Sequence, residues 1–219
     1  MTELEAILQR HSVRAYTDKR IEHEKITQLN ALIDEVNKAG QLHLQLLEDA
    51  GKTFRRILSK AMGLSSAPSV IACVGLDDST LDERIGYYGE KIVLAAQTMG
   101  LNTCWAGTFS KGGVPAQVAD GERLVLVIAI GYGETPGKVR KSKTAAQVST
   151  AAGERPEWFD FGVEMALLAP TAINQQHFEI SLQEDGSVTF NDKGGPFSKV
   201  DLGIVKYHFE VGSAAKKAQ

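Results

Sequence analysis

A dense group of residue types that bind phosphate lies near the amino terminus. Two arginines, a histidine and a serine, namely Arg10, His11, Ser12 and Arg14, fall within five consecutive positions. A guanidinium presents a planar fork of donors that fits phosphate oxygens, and a serine hydroxyl can donate to a further oxygen. The group therefore predicts a phosphate site. The alternative, that these are solvated charges at the end of a first helix, stays open on composition alone.

Other catalytic arrangements are not recognisable in the sequence. It has no Ser-His-Asp grouping with motif context, no Gly-x-Ser-x-Gly turn and no paired carboxylates in a familiar setting. Cys73 and Cys104 each lie in an apolar, strand-like run, which favours two buried thiols over a disulfide or a metal site. The glycines at 131, 133 and 137 lack the spacing of a dinucleotide fingerprint, which argues against a Rossmann site.

Composition and charge exclude several kinds of partner. Lysine plus arginine number 24 against 27 acids, a net charge of −3, so no global attraction to nucleic acid or to an anionic membrane is expected. A hydrophobic fraction of 43% over 219 residues is typical of a chain that can bury a sizeable core. No apolar run approaches the roughly 20 residues of a membrane span. The first residues lack the features of a signal peptide, so we expect a cytoplasmic protein.

The predicted elements begin with a helix that positions the basic group. Thr2 and Glu5 have capping-box spacing, which predicts a helix ending near Arg10. The helix over residues 85–99 is apolar nearly all round, which indicates burial, and Gly86 and Gly89 are expected where something packs against its backbone. The other elements of this half are helices over 22–38 and 52–61 and strands over 42–46, 70–74, 101–106 and 124–130.

The second half of the chain predicts a further group of helices and strands. Residues 144–156 are rich in small residues and predict a connector between two lobes, residues 1–143 and 157–212. After it we expect a helix over 158–168, strands over 178–182 and 188–190, a closing helix over 198–212 and a frayed tail over 214–219. The predicted fold class is α+β, with helices on both faces of a mixed or antiparallel central sheet.

Four stretches together resemble the nitroreductase family. Arg10 to Tyr16 resembles its Arg-x-Ser-x-Arg-x-Phe/Tyr motif, and residues 169–176 resemble its Ala-Pro-Ser-x-x-Asn-x-Gln motif. The helix over 86–101 with the strand after it, and the strand ending at Tyr132, also resemble the family. The resemblance implies an FMN-dependent oxidoreductase. NAD(P)H would reduce the flavin, which would then reduce a nitroaromatic, a quinone or a similar small electrophile.

The resemblance also implies roles for particular residues. The implied cofactor-binding residues are Arg10, His11, Ser12 and Arg14 at the phosphate and ribityl chain, Gly107 and Thr108 at the N5 side of the ring, Pro170, Thr171 and Asn174 at the ring wall, its pyrimidine edge or ribityl oxygens, and Arg140 and Lys143 toward the phosphate. The flavin itself would do the electron chemistry, so no catalytic side chain and no metal is expected. Fixed donors near its N1 and O2 edge would raise its reduction potential.

Two departures from the family pattern leave alternatives open. The Ala-Pro-Thr motif lies near the carboxyl terminus instead of soon after the amino-terminal motif, and His177 and Phe178 replace the Pro-Trp that follows it. A faint echo between Ile85-Gly86 and Leu202-Gly203 fits a subgroup that looks like a fused, two-lobed version of the usual homodimer. We therefore expect either such a monomer or a homodimer. The alternative functions are a flavin-binding sensor or carrier without turnover and an α/β interaction domain that binds no flavin.

Overall fold

The fold combines six helices and seven strands within the part of the chain that the structure describes. This computed structural model describes residues 1–50 and 67–218, so the helix predicted over residues 52–61 lies outside the described residues. The elements in chain order are α1 (Glu3–Gln9), α2 (His23–Gly40), β1 (Gln45–Leu47), β2 (Ser69–Leu76), α3 (Leu81–Thr98), β3 (Asn102–Ala106), β4 (Glu122–Gly131), α4 (Ala145–Val148), β5 (Ser149–Ala151), α5 (Glu157–Leu167), β6 (Phe178–Leu182), β7 (Val188–Asp192) and α6 (Ser198–Lys217).

The strands form two sheets. One has the order β1-β2-β4-β3 with every pair antiparallel, and the other has the order β5-β6-β7, in which β5 pairs with β6 in parallel and β6 pairs with β7 antiparallel. One antiparallel and one mixed sheet, combined with helices, confirm the predicted α+β class. Across residues 1–50 and 67–218, no helix is both long and apolar enough to cross a bilayer.

The residues group into two compact units. The four-strand unit comprises Arg10–Leu81 and Ile92–Val139 and contains β1 to β4, whereas the three-strand unit comprises Met1–Gln9, Asp82–Lys91 and Arg140–Gln219 and contains β5 to β7. The first half of α3 therefore belongs to the three-strand unit and the second half to the four-strand unit. The division into lobes of residues 1–143 and 157–212 stays a prediction.

Strands β2 and β4 form the core of the four-strand unit. Residues 70–74 of β2 and 127–130 of β4 are fully buried, and the register places Ile71 opposite Ile128. The continuous apolar runs that predicted central strands are thus explained by burial on both faces of the sheet. Cys73 lies in this core as a free thiol, and Cys104 on β3 is also buried and free.

Two glycines let α3 and α6 approach closely within the three-strand unit. A β-carbon at Gly86 would collide with the Val200 carbonyl oxygen, and one at Gly203 would collide with the Glu83 carbonyl oxygen and lie 2.6 Å from the backbone nitrogen of Tyr87. The two helices therefore meet backbone to backbone. This contact confirms the expectation that another element packs against Gly86.

A buried polar pair ties three helices of this unit together. His208 on α6 and Glu90 on α3 are both fully buried, and His208 Nε2 lies 2.9 Å from Glu90 Oε1. His208 Nδ1 lies 3.1 Å from the Met165 carbonyl oxygen on α5. A carbonyl can only accept, so Nδ1 carries a proton, and the imidazole bridges α3 and α5 from its place on α6.

The carboxyl-terminal side differs from one prediction. The predicted connector over residues 144–156 contains α4 and β5, and Thr150 Oγ1 on β5 donates to Ser181 Oγ on β6 at 2.9 Å; its role between two lobes stays a prediction. The tail predicted to fray is helical as far as Lys217, so that prediction is wrong. An ion pair of 3.1 Å between Lys216 and Glu157, and the Lys217 ammonium 4.0 Å from the Trp158 ring centroid, hold the last turn of α6 against the start of α5.

Candidate functional site

The basic segment of the four-strand unit runs alongside β3, an edge strand of its sheet. Ser12 forms a parallel bridge with Thr103, and the backbone nitrogen of Val13 donates to the Thr103 carbonyl at 3.0 Å. On the other side, the nitrogen of Thr17 donates to the Tyr132 carbonyl at 2.8 Å. The segment is therefore held in extended form between β3 and the residues that follow β4.

Two buried side chains of this segment, three positions apart, face the core. Val13 is 1% exposed and Tyr16 is 2% exposed, and the Tyr16 hydroxyl donates to the Ala129 carbonyl on β4 at 3.3 Å. Arg14 lies between them and is exposed, whereas Arg10 is only 4% exposed. The segment thus carries one buried and one exposed guanidinium.

The charges of this segment converge on Cys104. Burial raises the pKa of the Cys104 thiol, whereas the positive charges of Arg14 and Arg10 and a hydrogen bond with Ser12 lower it. Burial likewise raises the pKa of Tyr16 well above its ordinary value, and Arg14 again acts in the opposite direction. Arg10 and Arg14 therefore both add positive charge near Cys104 of β3, and Ser12 forms a hydrogen bond there, so the potential beside Cys104 favours an anion.

The loop after β4 lies directly against His11. Gly137 has φ +85°, and a β-carbon there would lie 2.7 Å from His11 Cβ and 3.3 Å from the Ser12 carbonyl oxygen. A residue with a side chain would therefore be both strained and crowded at this position. Gly107 and Thr108 belong to the same unit and follow the carboxyl end of β3, where Gly107 is exposed and Thr108 half-buried.

The remaining predicted site residues form a second group, in the three-strand unit. The loop between α5 and β6 contains Pro170, which is buried, and Thr171, whose Oγ1 accepts a hydrogen bond from the Gln176 backbone nitrogen at 3.1 Å. Asn174 is exposed and its side-chain amide donates to the Lys141 carbonyl at 2.8 Å. The structure thus brings Asn174 next to the basic stretch that begins at residue 140.

Arg140 and Lys143 hold the backbone of this second group. Arg140 donates to the carbonyls of Ala169 at 2.7 Å and Leu167 at 3.2 Å, which are acceptors at the carboxyl end of α5. The Lys143 ammonium donates to the Gln176 carbonyl at 2.7 Å, and its backbone nitrogen donates to Gln176 Oε1 at 2.9 Å. Both side chains therefore have a structural function, and their predicted contact with a phosphate stays a prediction.

Asp201 is a member of this group that the sequence did not reveal. Both of its carboxylate oxygens lie 3.0 Å from the backbone nitrogen of Ala172, and Oδ2 accepts from Gln175 Nε2 at 2.8 Å. Asp201 is 6% exposed, and burial raises its pKa to about 6. The sequence contains only a weak indication of this role, namely that Asp201 is the one acid in the otherwise apolar run from Val200 to Val205.

The predicted ligands therefore fall into two groups, each of which belongs to a different compact unit. Arg10, His11, Ser12, Arg14, Gly107 and Thr108 belong to the four-strand unit, and Arg140, Lys143, Pro170, Thr171 and Asn174 belong to the three-strand unit. The residues that sequence reasoning missed, Cys104, Gln176 and Asp201, act as partners of the predicted ones. Over the described residues, no group of three histidines, cysteines or acids could hold a metal ion.

Solved structures share the fold of this chain. A Thermotoga maritima MSB8 protein described as a "putative nitroreductase" has a TM-score of 0.69 at 24% identity, over 99% of this chain and 85% of that one. A nitroreductase family protein from Streptococcus pneumoniae TIGR4 has a TM-score of 0.52 at 16% identity, over 70% of this chain and 100% of that one. Both show similarity of fold.

A third solved structure and a family profile also match the chain. An FMN-dependent nitroreductase from Clostridium difficile R20291 has a TM-score of 0.49 at 18% identity, over 65% of this chain and 92% of that one. No curated protein matches the chain. The profile of the family described as "Putative TM nitroreductase" matches residues 3–213, nearly the whole chain. The chain therefore belongs to the nitroreductase family and is an oxidoreductase of that family.

Proposed function

We propose that this protein binds FMN and transfers electrons from NAD(P)H to a small electrophile such as a nitroaromatic or a quinone. The observation that carries the proposal is that Arg10, Arg14 and Ser12 all act on Cys104 of β3, with Arg10 only 4% exposed. Guanidiniums and a hydroxyl bind phosphate oxygens through charge-assisted hydrogen bonds, so a phosphate group fits this set of side chains.

The residues of both groups fit this cofactor chemically. Two guanidiniums and a hydroxyl match the oxygens of a phosphate monoester, and the close approach of Gly137 to His11 keeps the adjoining loop against the same segment. Thr171 and Asn174 offer a hydroxyl and an amide, which suit ribityl oxygens or the polar edge of a flavin ring. Gly107 is exposed and so offers backbone that a ring could approach.

In this proposal, the cofactor does the redox chemistry, and the two groups of side chains bind and orient it. Bound FMN supplies the hydride and electron chemistry, which no side chain of the protein can supply. Arg10, Arg14 and Ser12 bind the phosphate, while Asn174 and Thr171 orient the ribityl chain or the ring edge. Amide and hydroxyl donors fixed near the N1 and O2 edge favour the reduced ring, since negative charge develops there.

The experiment that tests the proposal is a visible absorption spectrum of the purified protein with FMN, recorded anaerobically before and after NADH and then NADPH. Flavin that binds and bleaches supports the oxidoreductase and identifies its electron donor. Flavin that binds but does not bleach with either nucleotide favours a carrier or sensor. A protein that binds no FMN contradicts the proposal.

A matched pair of arginine variants tests the phosphate anchor. Arg14→Ala removes one charge-assisted contact of about 1.5–3 kcal/mol, so the dissociation constant for FMN should rise about 10-fold to 150-fold. Arg123→Ala is the control, because Arg123 lies on β4 of the same unit and pairs with Asp77 at 2.8 Å. Fluorescence titration of FMN measures both constants, and equal affinities in the two variants would refute the anchor.

A further inference from the structure

The loop over residues 171–176 has a conformation that its own sequence does not favour. Ile173, Asn174 and Gln176 have φ values of 48°, 57° and 47°, in the left-handed region. Isoleucine is β-branched and strongly disfavours this region, and Ile173 is 79% exposed, so burial of its side chain does not compensate. Contacts from elsewhere must therefore impose the shape of the loop.

One carboxylate makes contacts on both sides of two of the strained residues, Ile173 and Asn174. Asp201 accepts from the backbone nitrogen of Ala172, before them, and from the Gln175 side chain, after Asn174. Gln175 Nε2 also donates to the Pro196 carbonyl at 2.9 Å. Asp201 itself lies in the first turn of α6, whose position is fixed by the glycine contact with α3. A rigid helix thus holds both sides of the turn.

We propose that Asp201 is a positioning residue, which holds the 171–176 loop in the shape that presents Thr171 and Asn174 to the flavin. The inference rests on the proposed function, since it assigns the loop a role in FMN binding. Asp201 acts through the loop, because its oxygens are engaged by Ala172 and Gln175. Without the carboxylate, the strained residues relax, and the cofactor must order them when it binds.

The titration of Asp201 should also make opening of the 171–176 loop depend on pH. Burial raises the pKa of Asp201 from 3.8 to about 6, and the hydrogen bonds from Gln175 and Ala172 act in the opposite direction. Of the nearby charges, Asp192 raises the pKa and His177 lowers it. A loop opening that hydrates the carboxylate returns the pKa toward its ordinary value. Because the closed loop has the higher pKa, it binds the proton more tightly, and rising pH favours opening.

The first experiment measures the loop without any flavin. Residue-resolved amide hydrogen exchange of the protein should show that the protection factor of the Ala172 amide falls about tenfold between pH 5 and pH 7.5. In Asp201→Asn, which cannot titrate, that pH step should vanish. His177→Gln should keep the step, since it removes only the neighbouring imidazole. A wild-type protection factor that does not change with pH, or a step that survives in Asp201→Asn, would overturn the inference.

The second experiment measures FMN affinity at pH 7.5. Asp201→Ala should raise the dissociation constant about tenfold, whereas Asp201→Asn, which keeps one acceptor oxygen and carries no buried charge, should bind FMN about as tightly as the wild type. The matched control is Asp185→Ala, which removes an exposed carboxylate from the turn between β6 and β7. Unchanged FMN affinity in Asp201→Ala would overturn the positioning role. Failure of the wild type to bind FMN would overturn the proposed function, and with it the role toward flavin, while the exchange experiment would still report on the loop.

Discussion

The basic segment and the 171–176 loop both carry predicted flavin ligands, but they are held in opposite ways. Backbone hydrogen bonds to Thr103 and Tyr132 hold the basic segment, and buried Val13 and Tyr16 fix its register. The 171–176 loop is left-handed at three residues, and side chains from other elements hold it, above all that of Asp201. One is therefore a strand-like pairing and the other is a clamped turn.

This difference decides which changes each region tolerates. In a strand-like pairing, several backbone hydrogen bonds share the stabilisation. One side chain therefore contributes little to the path of the basic segment. A clamped turn depends on a few buried polar contacts, and each of them has a large effect because its loss leaves a buried partner unsatisfied. Among substitutions that do not change the charge of the proposed phosphate site, those in the 171–176 loop should therefore have larger effects than those in the basic segment.

Gly203→Ala should have the largest effect, because it disturbs the helix that carries Asp201. The new methyl group would collide with backbone atoms of Glu83 and Tyr87, which cannot rotate away, so we expect the free energy of unfolding to fall by about 3 kcal/mol. Urea unfolding measures it. Gly153→Ala is the control, since nothing lies within 4 Å of the added carbon. A loss below about 1 kcal/mol for Gly203→Ala would show that α3 and α6 are not in rigid contact.

Tyr16→Phe should have a smaller effect, limited to stability. It removes one hydrogen bond of 3.3 Å to the Ala129 carbonyl and should lower the free energy of unfolding by about 1 kcal/mol. The ladder to Thr103 remains, so the FMN dissociation constant should change less than about twofold. A tenfold loss of FMN affinity would instead mean that the Tyr16 hydroxyl, and not the ladder, positions Arg14.

Ile173→Asn should have the smallest effect and the opposite sign. Asparagine tolerates left-handed φ better than isoleucine does, and little buried surface is lost at a side chain that is 79% exposed. The free energy of unfolding should therefore rise by about 0.5–1 kcal/mol. Val139→Asn is the control, being 84% exposed and outside the set of left-handed residues. Equal effects of the two substitutions would show that the loop is not strained at Ile173.

The same contrast explains how much could be predicted from the sequence. Strand β4 and helix α3 are visible because continuous apolar runs and helical spacing arise from local burial. The capping box of α1 is confirmed, with Glu5 Oε2 2.8 Å from the Thr2 nitrogen. The basic segment was visible because its chemistry is concentrated in consecutive residues. Such features need no knowledge of distant contacts.

Other features depend on partners far away in the chain and were not predictable. Asp201 is separated from Ala172 by 29 positions, and nothing in its neighbours indicates that pairing. The strand predicted over residues 42–46 is displaced to Gln45–Leu47, while Leu42 makes an isolated bridge with Gly75. The last turn of α6 is helical because Glu157 and Trp158 of α5 engage its lysines. Composition alone indicated a frayed end there.

The glycine crossing of α3 and α6 has the form of a two-fold contact. Gly86 faces Val200 and Gly203 of the other helix, and Gly203 in turn faces Glu83 and Tyr87 of the first. Such reciprocity is the mark of an isologous interface, which normally joins two identical subunits. Here one chain supplies both sides, so the contact is intramolecular. Its strength is therefore independent of protein concentration, and dilution that would dissociate a comparable dimer leaves it intact.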